Sequence, residues 1–467
     1  MSGKDKIIKI NKKLDDHVNY KNVEKLREKK QAAAEKAKEE DDWTSLMNAG
    51  KDQAPKTNSV HNVIALLNYD PIFKDKFKFN TFTQEIEITE DTSFMIETDT
   101  HHNIKKGSLD DREYAILIAY FDAKYQLCFP LNIFSAGLQA VAQAHSYNPL
   151  QDYIDEQIEK WDGKSRYKDL LPDFLGAEKT PLTAKTTLMF LLGLVAKIYA
   201  PETKFDYVLD LIGGQGVGKT TLLQKIAPLG YYTDQFTTFT DKDDYANMLK
   251  NILINDDEMT ATDNSTFQEL KKFISARFLE YRPPYGRKNI KRDKSFVMAR
   301  TSNDIYYLKD KTGNRRFMPV LCGVIKNVKS VFKDLTPEYV DQLWGEIGTI
   351  YKKLKAMNKL NFEFNKEDEE LIEKNRQQFM YVDEVEEEVD LALQTLIKTS
   401  KFKENHFITA SDIALRMGIA NLTTNTKVSR KINYIMQNKD GWKYMRARID
   451  GQQKRGYLFL KLEEEKK

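Results

Sequence analysis

Apolar and polar residues alternate through Gln84-Glu85-Ile86-Glu87-Ile88, the period of a half-buried strand. Helical spacing runs from Ser108 to Tyr125 and from Leu150 to Trp161, with a turn at Trp161-Asp162-Gly163. The stretch Leu182 to Tyr199 is apolar on more than one face, which predicts a helix buried between layers. From residue 203 to about 325 the pattern changes. Short apolar runs at Tyr207–Ile212, Asn251–Asn255 and Ser295–Ala299 read as strands, and Thr221–Ala227 as a helix. Such alternation predicts an αβα domain. Residues 335 to 390 are mainly helical and end in an acidic run, Asp383 to Asp390, a solvated face or linker. The last compact unit reads as a helix, Asp412–Met417, capped by Thr409 or Ser411 and stopped at Gly418. A turn, Asn421–Thr426, a second helix, Lys427–Gln437, and two strands, Trp442–Ile449 and Gly456–Leu460, follow.

This pattern divides the 467 residues into a charged mobile arm (1–58), a mainly helical N-terminal domain (59–200), an α/β core (201–330), a helical extension or linker (331–394) and a C-terminal unit (395–467). The arm carries a charged helix, Val23–Glu40, whose apolar face is mostly alanine, and a linker, Lys51–Ser59. The tail Glu463–Lys467 is charged and expected to fray. Charged residues make up 31% of the chain, yet the net charge is only +3, so a nucleic-acid surface has to be local. Cys128 and Cys322 are too far apart in sequence to share a zinc cluster and read as buried thiols in a reducing cytoplasm. His101-His102 reads as a loop pair. Leu188–Ala200, the most apolar segment, is too short to span a bilayer, and Lys4, Lys6, Lys9, Lys12 and Lys13 interrupt any leader. The expectation is a cytoplasmic protein with no membrane partner.

The run Gly213-Gly214-Gln215-Gly216-Val217-Gly218-Lys219-Thr220 fits G-x-x-x-x-G-K-[ST] between a strand and a helix, which is the context a phosphate-binding loop requires. Its glycines let backbone N–H groups wrap phosphate oxygens, and the helix start at Thr221 favours the same charge. Lys219 is expected to reach the β- and γ-phosphates of ATP, and Thr220 to place its hydroxyl on Mg²⁺. At the end of the next strand, Asp257 is assigned to the metal and Glu258 to the base that polarises water, with Asp256 able to replace Asp257 if the register slips by one. Asn303, after Ser295–Ala299, is the candidate sensor of the γ-phosphate or else an Asx turn. Arg315 and Arg316 fit an arginine finger acting from a neighbouring subunit, or a surface ion pair.

Two basic elements point to DNA. The run from Tyr281 to Arg292 reads as a hairpin or long loop that concentrates Arg287, Lys288 and Lys291 around Tyr285, the charge and stacking that a single strand needs; a solvated basic loop has the same composition. In the C-terminal unit, helix–turn–helix and hairpin together have winged-helix form, with Lys427, Arg430 and Lys431 on the second helix and Lys454 and Arg455 in the hairpin. Many winged helices bind proteins instead.

Together, Lys271-Lys272-Phe273, Tyr281-Arg282-Pro283-Pro284-Tyr285-Gly286-Arg287, Thr301-Ser302-Asn303 and Asp310-Lys311-Thr312-Gly313-Asn314-Arg315-Arg316-Phe317 resemble the virulence-associated protein E family, as do Tyr147-Asn148-Pro149 and Trp161-Asp162-Gly163 upstream. The resemblance covers about residues 60 to 330. It implies an AAA+-like, superfamily 3-type P-loop helicase of phages and bacterial pathogenicity islands. Such a protein forms a ring, expected to be a hexamer, hydrolyses ATP between subunits and holds single-stranded DNA in its pore. Origin duplex would sit at the winged helix, and host or element replication proteins would be partners. The segment Asn255-Asp256-Asp257-Glu258-Met259 departs from the family's more apolar strand ending in Glu-Leu, and Glu258 aligns with that glutamate. No persuasive Asp-x-Asp primase site precedes the core, so a helicase-only replication initiator is expected. The alternative is an ATP-controlled DNA-binding regulator that does not separate strands.

Overall fold

The structure, a computed structural model, describes residues 43–460 apart from 52, 97–99, 283–287, 309–312, 381–383, 420–425, 438, 440 and 450. Most of the arm, with its expected helix Val23–Glu40, therefore lies outside the described residues, as do the turn 421–425 and the tail. The chain divides into two compact units. One holds residues up to Thr301 together with Val320–Glu363; the other holds Ser302–Pro319 and everything from Phe364 on.

The first unit begins with packing where a mobile arm was expected. Trp43 stacks on Tyr69 at 6.2 Å, and Asn62 Nδ2 donates to the carbonyls of Asn48 and Lys56. The helices Val60–Tyr69, Asp111–Tyr125 and Leu131–Ala144 enclose an aromatic core around Phe73, Phe121 and Phe134. The expected mainly helical domain also contains five short strands: β1 (Phe77–Asn80), β2 (Glu85–Ile88), β3 (Thr92–Met95), β4 (His101–Ile104) and β5 (Gly107–Ser108). His101 and His102 thus lie in a strand rather than a loop. β1, β2 and β5 form one sheet, with Asn80 facing Glu85; β3 and β4 form a separate ribbon.

A five-stranded sheet is made of β6 (Val208–Ile212), β7 (Tyr232–Thr233), β8 (Leu253–Asp256), β11 (Val297–Ser302) and β12 (Phe317–Leu321), in the order β12-β6-β11-β8-β7; it belongs to the first unit except for Ser302 and Phe317–Pro319. β11 and β7 both pair in parallel with β8. Every residue of β6, β8 and β11 is buried, the polar Asp210, Asn255, Asp256 and Arg300 among them. β9 (Phe278–Tyr281) and β10 (Ile290–Asp293) make an antiparallel hairpin between β8 and β11. The helix Pro181–Tyr199 starts with Pro181 behind a Thr180 cap and is buried over most of its length. By length and apolarity it could cross a membrane, yet 61% of that window is buried inside the protein. The helix Pro337–Ala356 packs on Pro149–Lys160: a Cβ at Gly345 would meet Gln157 O at 2.4 Å, so only glycine permits this approach. Its Trp344 donates to Ile226 O at 2.9 Å, fastening it to the helix Lys219–Ile226.

In the second unit, the helix Lys366–Gln377 buries Arg376, which donates to the carbonyls of Phe317 at 2.8 Å and Arg315 at 2.7 Å. The acidic run Asp383–Asp390 lies mostly in the helix Glu384–Leu396. That helix is not merely a linker, because Val389, Ala392 and Leu393 enter the C-terminal core. The same core takes Ile413 from the helix Ala410–Arg416, Ile432 and Met436 from Thr426–Gln437, and Tyr457 from β15 (Gln452–Phe459). β15 lies between β13 (Phe407–Ile408) and β14 (Trp442–Ile449) in an antiparallel sheet.

Candidate nucleotide site and basic surfaces

β6 ends against the loop Gly213–Gly218, and the helix Lys219–Ile226 begins at once. Three glycines of the loop have positive φ: Gly213 at 157°, Gly216 at 82° and Gly218 at 96°. At Gly213 a side chain is also excluded by the neighbouring strand, since a Cβ would sit 2.5 Å from Cys322 O. At Gly214 and Gly216 a Cβ would meet nothing within 4 Å, so the loop is open on that side. Lys219 is buried and curls back over the loop, its Nζ donating to Gly213 O at 2.7 Å and Gly214 O at 3.0 Å. Gln215 is exposed, while Val217 and Thr221 are half-buried. Burial pushes the Cys322 thiol up to about 12, so it is inert behind the loop. Cys128, by contrast, is exposed rather than buried.

Asp256 and Asp257 have opposite surroundings. Asp256 is buried and accepts from Ala261 N at 2.8 Å, Thr262 N at 3.0 Å and Thr262 Oγ1 at 2.5 Å. Burial raises its pKa, opposed by the hydrogen bonds from Thr262 and Ala261 and by the charge of Arg300. Arg300 itself is buried in a bidentate pair with Asp210 of β6, at 2.8 and 2.6 Å. Asp257 faces the glycine-rich loop. Its Oδ1 accepts from Thr220 Oγ1 at 2.6 Å, Thr301 Oγ1 at 2.7 Å and Asn255 Nδ2 at 3.2 Å. Glu258 is exposed, and its backbone N–H donates to Thr301 Oγ1 at 3.0 Å. Glu258 and Met259 both have φ near 52°, the left-handed region that non-glycine residues seldom adopt. The bonds through Thr301 hold that bend in place.

Thus Lys219, Thr220, Asp257 and Glu258 are gathered at the carboxyl ends of β6 and β8. Thr301 and Asn255 belong with them and were not anticipated as site residues. Thr301 lies 44 residues from Asp257 in sequence, and nothing short of strand pairing links them. Asn303, exposed, follows β11 immediately; Arg315, exposed, and Arg316, half-buried, lie on the turn Asn314–Arg316. These three belong to the second unit, where Arg376 holds the turn through the carbonyls of Arg315 and of Phe317 just after it.

Of the basic residues, Lys288 and Lys291 are exposed, and Lys291 lies 3.3 Å from the centre of the Phe278 ring. Tyr285 and Arg287 lie outside the described residues. Lys427 is in the helix Thr426–Gln437, with Arg430 and Lys431 exposed on it. Lys454, half-buried, and Arg455, exposed, line a cleft of about 410 Å³ opposite Thr409, Ser411 and Asp412.

A family model, the virulence-associated protein E-like domain, matches residues 154–381. No curated protein matches the chain. Among solved structures, the chain is similar to the A form apo structure of the NrS-1 C-terminal region. The identity is 13%, with 86% of this chain and 99% of that chain covered and a TM-score of 0.42. A second apo structure of that region is similar at 12% identity, covering 82% of this chain and 95% of that one, with a TM-score of 0.38.

Proposed function

Residues 154–381 belong to the virulence-associated protein E-like family, and from that premise we propose that the protein is an ATP-dependent DNA helicase that initiates replication of a bacterial mobile element. The observation that carries this reading is the hydrogen bond from Thr220 to Asp257 beside an open glycine-rich loop. Few arrangements other than a P-loop site bring a helix-start hydroxyl and a strand-end carboxylate together there.

The residues fit ATP and Mg²⁺. Space lies open above Gly214 and Gly216, and among the described residues Asp257 Oδ2 makes no hydrogen bond. Thr220 and Asp257 would hold the metal, which when bound neutralises phosphate charge. The backbone N–H groups of Gly214 to Thr221 bind phosphate oxygens. Lys219 exchanges its two carbonyl partners for phosphate oxygens, so its charge is held ready at little reorganisation cost. Glu258 orients the attacking water and takes its proton, from a carboxylate on a left-handed bend fixed by Thr301. Asn303 reports the γ-phosphate. Arg315 and Arg316 reach the site of a neighbouring subunit in a ring, a hexamer, whose pore passes single-stranded DNA over Tyr285, Arg287, Lys288 and Lys291. The C-terminal unit acts as a winged helix on origin duplex through Lys427, Arg430, Lys431, Lys454 and Arg455. The host's cytoplasm is the compartment.

Unwinding of a labelled DNA fork tests this. The wild-type protein should separate strands only with ATP and Mg²⁺, and Lys219→Ala should reduce phosphate release by about a hundredfold or more. Wild-type hydrolysis by Lys219→Ala would remove the nucleotide site. ATP-dependent DNA binding without strand separation would leave a regulator in place of a helicase.

A further inference from the structure

The β9–β10 hairpin is tied to the N-terminal sheet by one side chain. Pairing sets Arg292 opposite Leu279 and Ile290 opposite Tyr281, which puts these four on one face, and there Leu279 and Tyr281 are buried. Arg292 is half-buried. Its Nη2 donates to Phe82 O at 2.6 Å and its Nη1 to Thr83 O at 3.4 Å, about 210 residues away along the chain.

Those carbonyls belong to a rigid turn between β1 and β2. Asn80 Oδ1 accepts from the N–H groups of Phe82 at 2.9 Å and Thr83 at 3.2 Å. Asn80 Nδ2 donates to Glu87 at 2.8 Å and to Tyr231 OH at 3.0 Å. The Phe82 ring meets Tyr231 edge-on at 5.6 Å, and Lys250 pairs with Glu85 at 2.5 Å. A turn fixed this way to residues flanking β7 and β8 is a firm anchor for whatever holds it.

Beyond Arg292 the same strand leads to the nucleotide site. Lys294 is buried; its Nζ donates to Ile274 O and, at 3.4 Å, to Phe273 O at the end of the helix Phe267–Ser275. β11 begins three residues later and ends near Thr301, which touches Asp257. One continuous stretch, residues 290–301, therefore runs from the hairpin to the acidic site. It is gripped at Arg292 and pinned at Lys294.

We propose that Arg292 is a positioning residue for DNA-driven turnover, making the N-terminal sheet the fixed support that sets the hairpin's angle relative to Thr301 and Asp257. The proposal rests on the reading of the hairpin as a DNA-contacting element. Arg292 acts through backbone carbonyls of its own chain, and its planar guanidinium meets them with two separate nitrogens in a fixed fork, where a lysine would offer one rotatable nitrogen.

Hydrogen exchange and ATP turnover with and without single-stranded DNA, on the full chain, test it. In Arg292→Ala the β9–β10 amides should exchange faster by about tenfold or more, the scale of a lost charge-assisted bond pair. Basal hydrolysis should stay within about twofold while DNA stimulation falls by about tenfold. Arg292→Lys should recover part of both. Unchanged exchange, or full DNA stimulation in Arg292→Ala, overturns the proposal alone. Full stimulation in Lys288→Ala/Lys291→Ala overturns the hairpin reading, and the proposal with it.

Discussion

At the carboxyl end of the central sheet, one oxygen of Asp257 receives three hydrogen bonds, and the strand behind it is wholly buried. In the C-terminal unit, Arg430 and Arg455 are exposed and Lys454 is half-buried, on elements whose other faces close a small core. On the proposed function, the first region would carry bond-making chemistry, which needs atoms held to fractions of an ångström. The second would neutralise phosphate, which tolerates movement and needs charge in reach of solvent. On that reading the acidic site recruits partners from β8, β11 and the helix Lys219–Ile226, while the basic surface relies on single side chains.

Exchanging the neighbouring carboxylates breaks the comparison hardest. Asp257→Asn should lower ATP hydrolysis by about a hundredfold or more with a thermal midpoint near that of the wild type. Asp256→Ala should instead lower stability by about 1–3 kcal/mol in urea unfolding, because it strips three donors, the buried Ala261 N–H among them, of their acceptor. Equal loss of activity and equal stability in both variants would erase the distinction between them.

A smaller effect is expected in the C-terminal unit. Lys454→Ala/Arg455→Ala should weaken duplex binding and make its dependence on log salt shallower by about two. Basal hydrolysis should not change. An unaltered salt dependence in fluorescence titrations would take both residues off the DNA.

A pH-dependent effect concerns Lys294, whose pKa burial lowers to about 7, helped by nearby Lys197 and opposed by Asp206. The unfolded lysine keeps its proton to about pH 10.4, so between those values the unfolded chain binds more protons and stability rises with pH. Relative to Lys294→Met, the wild type should therefore gain stability from pH 7 towards 10. A pH-independent difference in urea unfolding would contradict that origin.

How far the sequence could be read depended on distance along the chain. The glycine-rich loop, its flanking strand and helix, and the acidic end of β8 are each written within a few consecutive residues. So are the helices and strands of the C-terminal unit, where Thr409 and Asp412 form a reciprocal cap. The N-terminal region was harder. β3, β4 and β5 are short and show no alternation of apolar and polar residues, and Trp43 belongs to the fold through Tyr69 and Tyr125, which lie far from it in sequence. Which of Asp256 and Asp257 faces the loop was ambiguous because a strand's last residue can turn to either side.

Local pattern alone established the strand–loop–helix phosphate motif, the adjacent acids and the placement of most helices, since backbone preference and side-chain periodicity act over a few residues. Tertiary structure alone decided that Asp256 is a buried structural acceptor and that the half-buried Asp257 faces the glycine-rich loop. It also decided that Thr301 ties the strand tips together, that Arg376 holds the arginine turn, and that Arg292 reaches the turn at Phe82 and Thr83. Each of these depends on a hydrogen bond between residues brought together by sheet pairing or burial. Hydrogen-bond energy acts only over about 3 Å and carries no trace along the chain.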